Sequence, residues 1–136
     1  MEREHVKYQR LIDFCATLPP TTVAVVHPCD ETSLAGAMAA AKLKLIAPLL
    51  VGPRERIEAT AARFGIDIAG IPIIDVEHSH AAADRAVALV REGKAEAIMK
   101  GSLHTDELMG AVVRRETGLR TSRRVSHCFV MDVPSY

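Results

Sequence analysis

The chain has 136 residues, room for one domain with a substantial core. Seventeen basic and seventeen acidic side chains cancel, so no global field points to nucleic acid, a membrane surface or an acidic partner. Apolar residues make up 49% of the chain but aromatics only 4%, so the core must be built from Ala, Val, Ile and Leu, which suits helices lying close on a buried sheet. Cys15, Cys29 and Cys128 are odd in number and widely spaced, fitting neither a disulfide framework nor a zinc knuckle. The opening Met1-Glu2-Arg3-Glu4-His5 lacks a signal-peptide core, and no apolar run is long enough to span a bilayer. The expectation is a cytoplasmic protein with reduced thiols.

In chain order, Tyr8, Leu11, Ile12, Cys15 and Leu18 fall on one helical face before Pro19-Pro20, which makes residues 1–20 an N-terminal helix and linker. The α/β domain then fills residues 21–136. Thr22-Val23-Ala24-Val25-Val26 is a short apolar run of the kind found in strands buried on both faces. Asp30 caps a helix whose buried stripe is Leu34, Ala37, Met38, Ala41 and Leu45. A second strand, Ala47 to Val51, leads through Gly52-Pro53 into a helix carrying Ile57, Ala61 and Phe64, with Pro53 at its first position and Gly65 at its end. Ile71 to Val76 reads as a third strand. Ser79 caps a fourth helix bearing Ala83, Ala86, Val87 and Val90, which Gly93 closes. Ala95 to Met99 is a fourth strand, Thr105 opens a helix to about Arg115, and Ser126 to Met131 is a fifth strand. Alternation of this kind gives right-handed βαβ crossovers and a three-layer α/β sandwich with a mostly parallel sheet.

Ligands bind such sheets beyond the carboxyl ends of the strands, which selects the loops His27 to Ser33, Val76 to His80 and Lys100 to Asp106. No dinucleotide fingerprint follows the first strand, and Lys100-Gly101-Ser102 lacks the preceding glycine spacing of a P-loop. In Lys100-Gly101-Ser102-Leu103-His104-Thr105, glycine permits close backbone approach and the helix behind offers unpaired N–H groups to an anion. Lys100 adds a point charge; Ser102, His104 and Thr105 add hydrogen bonds. The plain alternative is a strand end and a capped helix with a solvated lysine. His27 and Asp30 belong to the same presumed cleft. His78 and His80 have a chelating spacing without an evident third ligand, so no metal is expected. Cys29 sits near a helix start, which favours a thiolate, but has no base beside it in sequence. Arg114, Arg115, Arg120, Arg123 and Arg124 form a basic cluster opposed only by Glu116, and Arg124 is a candidate for holding a phosphate or a subunit contact.

Several segments, in order, resemble one known family. They are Val23 to Pro28 with the helix start at Asp30, Leu49-Leu50-Val51-Gly52, Lys100 to Thr105, and Arg123-Arg124-Val125-Ser126-His127-Cys128-Phe129-Val130-Met131-Asp132. They are similar to the phosphate acetyltransferase/phosphate butyryltransferase family, in the branch often joined to an enoyl-CoA hydratase-like region. The resemblance covers nearly all of the chain after Pro20. It implies a two-domain fold of the isocitrate-dehydrogenase-like kind, and acyl transfer between coenzyme A and inorganic phosphate to give an acyl phosphate, without a metal or resident cofactor. Coenzyme A is then a substrate, the other partners are acyl-CoA or acyl phosphate and phosphate, and the protein is a homo-oligomer, expected to be a dimer. The family's principal catalytic serine, arginine and aspartate have no counterpart before Tyr136, so this chain reads as the N-terminal part of a longer enzyme. An arginine that some members carry after the glycine loop is replaced, at Met109. Two other readings stand beside this one: a non-catalytic module for small anions or acyl-CoA, and a dehydrogenase of the same two-domain fold, which its missing metal-ligand aspartates disfavour.

Overall fold

The computed structural model describes residues 5–133, and in them an opening helix is followed by eight alternating strands and helices. They are α1 (Val6–Cys15), β1 (Thr21–Val26), α2 (Glu31–Lys42), β2 (Ile46–Gly52), α3 (Arg54–Phe64), β3 (Ile73–Asp75), α4 (Ser79–Arg91), β4 (Ala97–Lys100) and α5 (Thr105–Val113). The four strands pair in parallel in the order β3-β2-β1-β4. No helix among the described residues is long and apolar enough to cross a membrane.

β1 explains the layering. Its alternate side chains go to opposite faces: Val23 and Val25 join Leu34, Ala37, Leu50, Ile57 and Ala61, beneath α2 and α3. Ala24 and Val26 join Val51, Ala82, Ala86, Leu89, Leu108 and Ala111, beneath α4 and α5. Both faces are therefore covered, which is why this strand shows no polar alternation in sequence. Alanines at the α4 contact let that helix lie close on the strands. The proline in β2 is tolerated because even-numbered residues there donate outward, as Leu50 does to Pro72 O at 2.9 Å. β3 pairs with β2 only from Leu50 onward, so at Pro48 the missing N–H has no strand to face.

Several starts differ from the sequence reading by one residue. Pro53 is the N-cap of α3 rather than its first helical residue. α4 is capped by His78, whose extended backbone lets its Nδ1 accept from Ala81 N–H at 3.1 Å, while Ser79 is already helical. Asp30 does cap α2, accepting from Ser33 N–H at 2.9 Å.

The opening helix forms as expected, while one larger expectation, the fifth strand, fails. The stripe on α1 is not a core face: none of its residues is buried, and Tyr8, Leu11 and Phe14 are about half exposed or more. Both faces of the sheet are already occupied by α2 to α5, leaving α1 no layer to join; Tyr8 and Leu11 lie beside Val130 and Met131, and its N-cap His5 contacts Asp132 through Nδ1. The expected fifth strand, Ser126 to Met131, is unpaired and exposed. A crossover from α5 would deliver it to the free edge of β4, but the chain is diverted first. Arg91 holds the carbonyls of Glu116 and Gly118 at 2.6 and 3.1 Å. Gly118 is so close to the end of α5 that a Cβ would stand 2.5 Å from Val112 O.

These placements predict opposite outcomes for two apolar truncations measured by urea unfolding in dilute solution. Leu89→Ala should cost about 2–5 kcal/mol, as a buried leucine does. Phe129→Ala, at a residue 74% exposed, should stay within about 0.5 kcal/mol of the parent; a comparable loss would place Phe129 in a core.

Candidate functional site

The chain runs outward from β1 through β2 to β3, then returns to lay β4 on the other side of β1. The loops after β1 and β4 thus leave for opposite faces, and a crevice opens between them. An open cleft of about 600 Å³ lies there, lined by His27 and Asp30 from the first loop and by Lys100, Gly101, Ser102, Leu103 and His104 from the other. His78 and Ser79 at the start of α4, Arg56 of α3 and Glu107 of α5 complete it.

The two loops are bound to one another. Gly101 passes so close to β1 that a Cβ would stand 2.6 Å from His27 O, and nearer still to Val26 O. His27 takes a left-handed conformation, φ 54°, which costs a non-glycine residue about 1–2 kcal/mol. Its carbonyl accepts from Ser102 N–H at 2.8 Å, Ser102 Oγ at 2.7 Å and Cys29 N–H at 2.8 Å. Ser102 Oγ in turn accepts from Cys29 N–H at 3.1 Å. The imidazole is buried, with Nδ1 2.9 Å from Ser102 O and 3.0 Å from Ser102 Oγ. Because a carbonyl can only accept, we assign the hydrogen to Nδ1. Nε2 is then the acceptor for Arg56 Nη1, 3.3 Å away.

Of the eight residues that the sequence proposed for binding or for the cleft, six line it: His27, Asp30, Lys100, Gly101, Ser102 and His104; His78, considered for a metal, lines it too. Thr105 is the exposed first residue of α5 and does not. Arg124 lies elsewhere, in a groove formed by Val112, Val113 and residues 119–125, and Arg114 pairs with Asp84 of α4 at 2.7 Å. Ser102 is in the cleft wall, but its hydroxyl hydrogen is committed to His27 O. His104 caps α5 without a side-chain hydrogen bond, leaving the first N–H groups of that helix without a side-chain partner from it. Among the described residues Lys100 Nζ reaches only Gly101 O, at 3.4 Å. His78 is occupied as a cap, and His80 pairs with Glu107 Oε1 at 3.3 Å.

Two cleft residues were not legible in sequence. Arg56 belongs to the helix after β2, a strand end that the three selected loops leave out, and a surface arginine gives no other signal. Glu107 looks like an ordinary acidic residue of a first helical turn, yet its Oε2 is buried without a hydrogen-bond partner.

The electrostatics separate the two remaining candidates. Burial pushes the Cys29 thiol up, with the Arg56 charge pulling the other way and Asp30 adding to the rise. It is therefore a poor thiolate and a packing residue. Hydrogen bonds from the Ser33 side chain and backbone hold the Asp30 carboxyl below its ordinary range against some burial, helped by the Lys100 charge. Asp30 is thus an ionised cap at the cleft rim.

The brace can be tested at its hydroxyl. Ser102→Ala removes the group that joins His27 O to Cys29 N–H, and should cost about 1–3 kcal/mol in thermal or urea unfolding. A change below a few tenths would mean that the two loops do not depend on it.

No protein-family model matches the chain. It is 56% identical over 130 residues, 96% of its length, to a phosphate acetyltransferase of Rhizobium meliloti. It is 52% identical over 117 residues, 86% of its length, to a phosphate acetyltransferase of Rickettsia felis. A phosphate butyryltransferase of Clostridium beijerinckii is 30% identical over 129 residues, 95% of the chain. The chain spans 41%, 34% and 43% of the lengths of these three relatives. Identity at this level over most of the chain, common to enzymes of both names, means that the chain belongs to the phosphate acetyltransferase/phosphate butyryltransferase family.

Proposed function

We propose that this chain forms one wall of the site of an acyltransferase that moves an acyl group between coenzyme A and inorganic phosphate. The observation that carries the reading is the Lys100-Gly101 loop lying over the switch-point cleft, with the α5 N-terminus behind it. Family membership supports the chemistry, and the relatives' greater length supports a second domain that closes the cleft and brings the groups that act on the acyl carbon. Coenzyme A enters as a substrate. The unpaired cysteines suit a reducing compartment, and we assign the protein to the cytoplasm.

In one direction a phosphate oxygen attacks the thioester carbonyl, a tetrahedral oxyanion forms, and the C–S bond breaks to release the coenzyme A thiolate. In the other, the thiolate attacks the acyl phosphate and phosphate leaves. Negative charge shifts along the same line of atoms in both, so fixed positive charge at the phosphate end lowers the barrier in each direction. Lys100 and the α5 N–H groups supply it here. Gly101 lets the backbone approach, His104 borders the phosphate, and Thr105 offers its N–H. Ser102 and His27 keep the loop in place. Arg124, on another groove, receives no role in this reading.

We also propose a homo-oligomer, a reading supported by the exposed Phe129, Val130 and Met131 and the half-exposed face of α1. Sedimentation at high concentration should show self-association; a strictly monomeric profile would count against it.

The cleft itself is tested by Lys100→Ala in the active enzyme. A charge-assisted contact is worth about 1.5–3 kcal/mol, one to two decades in a rate or binding constant. The loss should fall on kcat if the contact tightens in the transition state, and on KM for phosphate if it binds both states equally. The thermal midpoint should barely move, since Lys100 is exposed. Unaltered kcat and KM for both substrates would remove the loop from the site.

A further inference from the structure

We infer that Arg56 is a second anion-holding arm of this cleft and that His27 is the residue that positions it, a proposal that rests on reading the Lys100 loop as an anion site.

Arg54 pairs with Glu58, Arg85 with Glu92 and Arg114 with Asp84. Arg56 makes no ion pair among the described residues; its one side-chain hydrogen bond runs from Nη1 to His27 Nε2. Lys100, in the same cleft, likewise has no carboxylate partner among the described residues. The cleft does contain two carboxylates. Asp30 is engaged by Ser33, and Glu107 offers one oxygen to His80 while burying the other. Neither makes a close ion pair with Arg56 or Lys100 among the described residues, although the Lys100 charge is felt at Asp30.

Two unpaired cations facing one crevice repel, and an anion of matching charge between them relieves that repulsion. A guanidinium has five N–H donors in a rigid fork; His27 occupies one, leaving others for two phosphoryl oxygens. The support behind Arg56 is unusually well fixed for a surface side chain. His27 is 4% exposed, its Nδ1 is held by Ser102, and a Cβ on Gly52 would stand 3.4 Å from His27 Cα. Nε2 therefore presents a lone pair in one direction only. An arginine leaning on it loses less freedom when the ligand arrives.

The ligand class is a doubly charged phosphoryl group, carried by inorganic phosphate, by an acyl phosphate, or by coenzyme A. Steady-state kinetics of Arg56→Gln in the active enzyme distinguish these sources. KM for phosphate should rise about ten- to hundredfold if inorganic phosphate sits there, and KM for acyl-CoA by a similar factor if a coenzyme phosphate does. Arg56→Lys, which keeps the charge but loses the fork, should recover only part. The thermal midpoint should not move. His27→Gln should raise the same constant, and the double variant should add little to it, because the two side chains act as one unit; two purely structural effects would add. Should His27→Gln fail to fold, Arg56→Gln alone decides. Wild-type KM for both substrates in Arg56→Gln overturns the inference. If Lys100→Ala is impaired in that case, the cleft survives without Arg56; if it too is normal, the cleft reading falls with it.

Discussion

The site depends on one carbonyl. His27 O, at the end of the central strand, receives donors from its own loop and from the loop after β4, and so ties together two segments more than seventy residues apart. A left-handed histidine at the end of a buried strand is unfavourable by itself. It persists because Ser102 satisfies both its carbonyl and its ring, and because the glycine at 101 leaves room for the approach. The brace fixes the distance between the loops, and with it the width of the cleft and the position of Lys100 on its rim.

A core of small aliphatic residues makes that arrangement possible. With few aromatics, the helices settle close to the strands: Ala82, Ala83 and Ala86 bring α4 against β1 and β2 on one face, and Leu34 and Ala37 bring α2 down on the other. Covering both faces leaves the strand ends as the place where polar groups can gather without cost to the core. At those ends the diverging crossovers hold α2 and α5 apart, and the cleft is the space they do not fill. Its chemistry is drawn from several elements: the β4–α5 connection contributes Lys100 and His104, while α3 contributes Arg56 and α5 Glu107.

A different logic governs the two ends of the chain. The apolar residues of α1 and of positions 125–133 exceed what this sheet can bury, and they meet one another only loosely, around Tyr8, Leu11, Val130 and Met131. Surface of this kind is ordinarily covered by something. The relatives are more than twice as long as the aligned part, which fits a protein in which this domain is one of several contacts rather than the whole enclosure of the site.

The sequence alone determined the fold class, the first four strands, the helices around them and the three loops that it selected for the cleft. These follow from short-range physics: apolar period, proline and glycine placement, and a capping aspartate at position 30. It also carried the family, through Lys100 to Thr105 and the run from Val23 to Pro28. The tertiary structure alone decided what depends on neighbours. Ser126 to Met131 has the composition of a buried strand, but a strand requires a partner edge, and the turn held by Arg91 at Gly118 carries the segment away from β4. The α1 stripe has the period of a core helix, but no free face of the sheet receives it. Ser102 looked like a ligand donor, and its hydroxyl is instead taken up by the His27 brace. Arg56 carried no signal at all, because what makes it a cleft residue is the adjacency of β2 and β1, and adjacency is set by the order of strands in the sheet rather than by the order of residues in the chain.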